Sequence, residues 1–370
     1  MASLTDDLVV EILSRLPIKS LCRSKCVSRY WRGLISHPDH RRKFPQADAG
    51  VFYLTKNSSR FPEETRRFTN FWEASRVPPL VRPSLSFLPG YERIAGIVDS
   101  CNGLLLCRRS ESSSSRGPFR YVVCNPANSS WVELPDSGCG DKLRVARLAF
   151  DPAFYPLFHV FEMVEDEEQE LAGAEIYCSE TGAWRYKESE WDPHIFIYDD
   201  LPSVFCDGFL HFLTDQFWIV SVNVEGDTWW MTPVPKEDLG DSGFLGQYKG
   251  HLCYMLPCDP HCGFLGQYKE DLSIWVLEDI TTDDWILKHQ VSIQKLIEKK
   301  ISQSKSIYYH VITILPDCNF ILYVAGQDRT LMAYDIDHEE VHAIQNLGPD
   351  CLLPYIPYVP FYPETLTDGL

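Results

Sequence analysis

Asn125-Pro126-Ala127-Asn128-Ser129-Ser130-Trp131-Val132-Glu133-Leu134-Pro135 reads as the end of one strand, a tight turn and the start of a second strand. Asn, Pro and Ser supply the turn, and Trp-Val opens the next extended run. Related phrases recur. Glu175-Ile176-Tyr177-Cys178-Ser179-Glu180-Thr181-Gly182-Ala183-Trp184-Arg185 has the same shape, and so does Val220-Ser221-Val222-Asn223-Val224-Glu225-Gly226-Asp227-Thr228-Trp229-Trp230. Ile274-Trp275-Val276-Leu277-Glu278, closing at Asp284-Trp285, has a longer turn, and Leu331 to Val341 places Val where Trp stood. From Trp131 the steps to residues 184, 230, 285 and 341 are 53, 46, 55 and 56. A period of roughly 50 residues built from short strands predicts a β-propeller, kelch-like in its spacing.

The segments before these phrases complete the units. Ile97 to Cys107 turns at Asn102-Gly103, and Val204 to Leu213 turns at Asp207-Gly208, both strong hairpin signals. Phe244 to Met255 turns near Lys249-Gly250, and Ile312 to Val324 turns near Asp317. Five units are legible, and a sixth is available from residues 48–95, where Val51-Phe52-Tyr53-Leu54 is the best strand. The recurrent Trp reads as structural, a large ring at the start of an outer strand wedged between neighbouring blades. Residues 354–366, rich in Pro and Tyr, forbid a helix, and a closing strand from this tail or from the residues that precede the first unit would remove an exposed sheet edge.

Composition agrees with a large β domain. The 370 residues are 45% hydrophobic and 13% aromatic, with 25 Pro and 21 Gly to punctuate strands. Net charge is −18. Residues 1–43 hold nine Lys/Arg against four acids, a net +5, so the remainder carries −23. An acidic large domain argues against nucleic acid as a partner. No apolar stretch is long enough for a membrane span, and the acidic N-terminus lacks a signal pattern. Thirteen scattered cysteines, an odd count, read as reduced thiols of a cytoplasmic or nuclear protein. His251, Cys253, Cys258, His261 and Cys262 fit no common zinc spacing, so no metal and no cofactor are expected.

The N-terminal residues follow a different rule. Leu4-Thr5-Asp6-Asp7-Leu8-Val9-Val10-Glu11-Ile12-Leu13-Ser14-Arg15-Leu16-Pro17 predicts a helix with Thr5 as N-cap and two carboxylates in the first turn, where the helix dipole favours them. Leu8, Val9, Ile12, Leu13 and Leu16 form a wide apolar stripe, and Pro17 ends it. Residues 18–26 read as a second short helix. Ser28 caps a third that carries Trp31, Leu34 and Ile35 and stops at Pro38. Three short helices expose more apolar surface than they can bury alone, so a partner is implied.

In order, the acidic pair, the helical leucines, Leu16-Pro17 and Cys26-Val27-Ser28-Arg29-Tyr30-Trp31-Arg32-Gly33-Leu34-Ile35-Ser36 resemble an F-box over residues 1–45. One departure is visible: Leu4-Thr5 stands where the family usually has Leu-Pro. Residues 95–345 resemble the kelch-related region that follows plant F-boxes. Its landmarks are Cys101-Asn102-Gly103-Leu104-Leu105, Asn125-Pro126, Phe150-Asp151-Pro152, Thr181-Gly182, Trp184-Arg185 and Ile274-Trp275-Val276-Leu277. The resemblance implies a mainly β chain: a three-helix F-box at 1–45, a linker or partial blade at 46–95, a propeller of five to six blades at 96–347 and a closing tail at 348–370.

It implies, too, a substrate receptor of a ubiquitin ligase, binding a Skp-family adaptor, through it a cullin, and a protein substrate not named by the sequence. Leu4, Leu8, Ile12, Leu13, Leu16, Pro17, Leu21, Val27, Trp31, Leu34 and Ile35 are then the adaptor-binding set or its immediate support. The chain itself offers no catalytic constellation: no phosphate loop, no His-Glu-x-x-His, no Gly-x-Ser-x-Gly. Its contribution would be proximity. A different reading has the propeller binding a small molecule or glycan, with Trp72, Tyr155, Trp191 and Trp218 as candidate pocket aromatics. Two features stand apart. Gly243-Phe-Leu-Gly-Gln-Tyr-Lys249 repeats unchanged at 263–269, and the acidic run 162–175 reads as a solvated loop, with contact to basic substrates as the alternative reading.

Overall fold

The computed structural model describes residues 5–16, 20–21, 24, 27–36, 40, 49–56, 64–71, 81–110, 119–138, 145–152, 155–166, 170–189, 195–197, 203–214, 216–235, 243–256, 271–279, 282–297, 308–315 and 319–361. Five four-stranded antiparallel sheets follow one another along the chain. Blade 1 is β3 (Ile94–Cys101), β4 (Leu104–Ser110), β5 (Phe119–Asn125) and β6 (Ser130–Glu133). Blade 2 is β7 (Ala146–Asp151), β8 (Tyr155–Glu165), β9 (Leu171–Cys178) and β10 (Ala183–Glu188). Blade 3 is β11 (Val204–Cys206), β12 (Phe209–Leu213), β13 (Trp218–Asn223) and β14 (Trp229–Pro233). Blade 4 is β15 (Phe244–Tyr248), β16 (His251–Leu256), β17 (Asp271–Leu277) and β18 (Trp285–Ser292). Blade 5 is β19 (Tyr309–Leu315), β20 (Phe320–Ala325), β21 (Thr330–Asp335) and β22 (Glu340–Asn346).

The sixth blade joins the two ends of the ring. β1 (Gly50–Lys56) pairs with β2 (Glu64–Asn70) on one side and with β23 (Cys351–Tyr358) on the other. The best strand of residues 48–95 is thus β1. The first strands of successive blades touch in the order β3, β7, β11, β15, β19, and β23 touches both β19 and β3. A strand from the C-terminal tail is therefore the innermost strand of the closing blade.

Each seam between blades holds its own apolar cluster, so the core is six wedges rather than one ball. Phe52, Tyr358, Leu105 and Val122 fill the seam between the closing blade and blade 1. Leu106, Val123, Phe150 and Val160 fill the next, and Phe161, Ile176, Leu210 and Val222 the one after. Two-sided burial explains the continuous apolar runs of the inner strands, such as Phe320-Ile321-Leu322-Tyr323-Val324-Ala325, all buried. The hairpins follow the turn residues: Asn102-Gly103, Asp207-Gly208 and Lys249-Gly250 each take φ near +50° and then near +90°, the positive pair of a tight hairpin turn.

The recurrent Trp does what its size predicts. Trp131, Trp184 and Trp285 lie at the start of the outer strands and pack into the seam with the preceding blade. Trp184 Nε1 donates to the Pro135 carbonyl at 2.8 Å and Trp285 Nε1 to the Pro233 carbonyl at 2.9 Å, each one blade back. In blade 3 the seam residue is Trp229 rather than the expected Trp230. The acidic run also departs from expectation. β8 and β9 continue through it, Asp166 and Glu170 close their hairpin, and Glu162 is buried and accepts the Tyr121 hydroxyl at 3.2 Å. The second copy of the seven-residue repeat, at 263–269, and Cys258, His261 and Cys262 lie outside the described residues. His251 opens β16, and Cys253 is buried within it.

Two titratable groups inside the ring pull stability in opposite directions with pH. Asp99 in β3 accepts backbone N–H groups of Ser100 and Leu148, both at 2.8 Å, tying blade 1 to blade 2. Burial around its carboxyl outweighs Arg147 and pushes it up to about 6, so its contribution is largest in acid and is lost as pH rises. His211 in β12 sits beside Ser221 Oγ at 2.7 Å, and burial drives it down to about 4 from an ordinary 6.5. A depressed histidine stabilises above pH 6.5, and that contribution disappears as pH falls through 4. At about 1.4 kcal/mol per unit the loss is about 3 kcal/mol. Urea titrations at pH 7 and pH 4.5 should show His211→Gln losing less stability in acid than the parent chain. Equal acid losses in both proteins would rule the histidine out as the cause.

Candidate functional site: the exposed face of the N-terminal helices

Helix α1 (Asp6–Ser14) begins as the acidic first turn predicts, but Thr5 caps it only through its backbone. Its carbonyl accepts from Leu8 and Val9 N–H at 3.1 Å, and its side chain makes no cap bond. Ser28 does cap α2 (Arg29–Ser36): its Oγ accepts the Trp31 N–H at 3.1 Å. Between the two helices Ser20, Leu21 and Ser24 are helical, while most of the expected middle helix lies outside the described residues. The Tyr30 hydroxyl donates to Asp6 Oδ1 at 2.7 Å and holds the start of α2 against the first turn of α1.

These helices own a small core. Val9, Val10, Leu13, Leu21, Leu34 and Ile35 are buried together, with Leu16 and Trp31 packed half-buried against them. What remains outside is more informative. Leu8 and Ile12, one turn apart on α1, are each 52% exposed, Val27 is 66% exposed and Tyr30 51%. Four large apolar side chains on so small a unit are an unsatisfied surface.

The proposed adaptor set is thereby divided. Leu8, Ile12 and Val27 are on the surface, and Leu16 and Trp31 bridge surface and core. Leu13, Leu21, Leu34 and Ile35 are buried together in the helices' own core, where they support the exposed positions rather than stand among them. The reason is angular. Leu8 and Ile12 make one row of α1, Val9 and Leu13 the next, about 100° round the helix, and only one row can face inward. Leu4 and Pro17 lie outside the described residues. Tyr30 was missed; its place three residues after Val27, at the start of a helix, was the available signal.

Among the described residues, Arg32 of α2 approaches Asp151 of β7 to 4.0 Å. A surface pair of this kind contributes little by itself. Of the aromatics considered for a pocket, Trp218 opens β13 and is half-buried, Trp72 and Trp191 lie outside the described residues, and only the backbone of Tyr155 is described.

Comparison with known proteins gives the same two parts. Residues 64–350 match the family model of the F-box associated beta propeller domain, and residues 1–43 match that of the F-box domain. The Arabidopsis thaliana F-box protein At5g07610 is 26% identical over 338 residues, covering 82% of this chain and 74% of its own length. A second Arabidopsis thaliana relative, F-box protein At5g49610, is 25% identical, with 78% and 79% covered. Among solved structures, a chain of a nidogen/laminin complex superposes with a TM-score of 0.43 at 9% identity, covering 84% of this chain and 98% of that one.

Proposed function

Because the chain belongs to the F-box associated beta propeller family and carries an F-box domain ahead of the ring, we propose that it is the substrate-recognition subunit of a Skp–cullin–F-box ubiquitin ligase. In this reading a three-helix F-box docks on a Skp-family adaptor, and through it a cullin. The propeller captures a protein substrate and presents a lysine to the charged ubiquitin carrier. The chain then catalyses nothing itself; it raises the local concentration of substrate at a thioester held elsewhere. The cytoplasm or nucleus is the setting that fits this reading.

The observation that carries the reading is the exposed row Leu8, Ile12 and Val27, outside the core that the described residues of these helices form. A second set of apolar side chains, exposed beside that core, is suited to burial against another protein. The test is a pull-down of purified chain with a recombinant Skp-family adaptor. Leu8→Asp/Ile12→Asp places charge on the face without touching the core. It should remove binding as completely as deleting residues 1–45, while melting temperature stays within a few degrees of the parent. Full adaptor binding by the double variant would move the docking face elsewhere. No binding by the parent chain would remove the ligase reading.

A further inference from the structure

A cavity of about 640 Å³ opens between blades 2 and 3, on the side of the ring that meets the N-terminal helices. Its size falls within the range of ligand-binding clefts. One wall is a single cross-strand row of blade 2: Ala149, His159 and Cys178 stand side by side on β7, β8 and β9, and all three line the space. The opposite wall is made of two turns of blade 3, Asp207-Gly208 between β11 and β12, and Val224 to Asp227 between β13 and β14. Gly226 lets the second turn close against blade 2: it takes φ +72°, and a Cβ there would strike Ile176 and Lys187. The Lys187–Asp227 ion pair seals that edge, and Arg29 of α2 stands at the rim.

The lining has a chemical bias. Five carboxylates (Asp151, Glu180, Asp207, Glu225 and Asp227) face three cations (Arg29, Arg185 and Lys187). Asp227 is engaged by Lys187, and Asp151 has Arg32 within 4.0 Å. Glu180 and Asp207 have no ion-pair partner among the described residues, and Glu225 accepts only from the Asn223 amide there. His159 is the independent sign of a ligand. It is 8% exposed, it lines the cavity, and its ring makes no hydrogen bond among the described residues. Glu180 and Glu225 lie close enough to oppose the effect of burial, yet burial keeps the imidazole below its ordinary value and so neutral. A neutral imidazole has one acceptor nitrogen to offer a donor-rich group. Ile176, Leu157 and Phe205 supply apolar wall for an aliphatic stem.

We propose that this cavity receives a lysine or arginine side chain from a peptide segment of the substrate, with its charged head between Glu180, Glu225 and His159. The proposal rests on the substrate-receptor reading and supplies its recognition chemistry.

Binding is measured with the full chain against an arrayed library of short peptides graded in Lys/Arg content, with spermidine as a free cation. The variants are Glu180→Gln/Glu225→Gln, His159→Gln and, as a control away from the cavity, Glu188→Gln. Peptides with Lys or Arg should bind the parent chain. The double variant should weaken that binding by roughly tenfold or more, as the loss of charge-assisted hydrogen bonds implies. His159→Gln should weaken it less, and Glu188→Gln should leave it unchanged. Spermidine alone matching the peptides would show that the site takes a free cation and overturn the peptide assignment. Equal weakening by Glu188→Gln would reduce the effect to net charge and overturn the site, as would the absence of any charge-graded binding. Adaptor pull-down on the same variants separates the two readings. Loss of peptide binding with adaptor binding intact concerns the cavity alone, and adaptor failure in the parent chain concerns the ligase assignment.

Discussion

A chain ending at Asp350 should fail to close. Removal of residues 351–370 takes away β23, the inner strand of the sixth blade, and with it the strand that touches both β19 and β3. Buried Cys351, Tyr355 and Tyr358 go with it, together with the ring contacts of Tyr358 to Phe52 and Phe68 at 5.6 and 6.2 Å. The tail beyond the strand is lost as well. Phe361 packs edge-on to Phe150 at 5.3 Å, its carbonyl accepts the Asn125 amide at 2.9 Å, and its backbone fills the space that Gly103 leaves for want of a Cβ. Each fully buried large side chain contributes about 1.5–3 kcal/mol. The sum with the strand's backbone pairing approaches the 5–15 kcal/mol that stabilises a whole domain. The exposed side of β1 then becomes an open sheet edge, a template for aggregation. The expected result is a sharp fall in soluble yield and loss of near-ultraviolet circular dichroism, with part of both restored by a synthetic peptide of residues 349–361. A truncated chain that melts at the temperature of the parent would show that the ring closes without its tail.

The ring was legible because its constraints are local and repeated. A tight hairpin needs positive φ at two successive positions, so Asn102-Gly103 and Asp207-Gly208 announce themselves. An indole at the head of an outer strand fills the seam in four of the blades, so Trp131, Trp184, Trp229 and Trp285 recur at steps of 53, 45 and 56. Where the constraint is not local the sequence is silent. Nothing in the string Glu162 to Glu170 says that Glu162 turns inward to Tyr121 of the preceding blade, because the partner is 41 positions away. The cavity is harder still. Its lining comes from β7–β8, from β9–β10 and from two turns of blade 3, and no one of those segments carries a motif. On α1 the difficulty is angular: two apolar rows lie side by side, and composition alone does not tell the row that packs from the row that waits.

That distinction sets the second large expectation, in which Leu13→Asp and Leu8→Asp part company. Leu13 is 1% exposed and central to a core of about six side chains, so a carboxylate there has no water and no partner. A buried unpaired charge costs several kcal/mol, and Leu→Ala alone at such a site costs 2–5 kcal/mol. A unit of this size holds no such reserve. Leu13→Asp should therefore melt the N-terminal helices while the ring survives, since the helices' cluster is separate from the seams and each seam of the propeller keeps its own core. Hydrogen exchange would show residues 6–36 unprotected and the β-strands unchanged. Leu8→Asp should leave exchange unaltered throughout, its carboxylate standing in solvent beside Asp7 in the first turns of α1. Both variants are expected to lose the adaptor, but only the loss in Leu8→Asp reports on the contact face. Protected N-terminal helices in Leu13→Asp would mean that α1 can rotate its second apolar row inward, and the assignment of Leu8 and Ile12 as the outward row would fall with it.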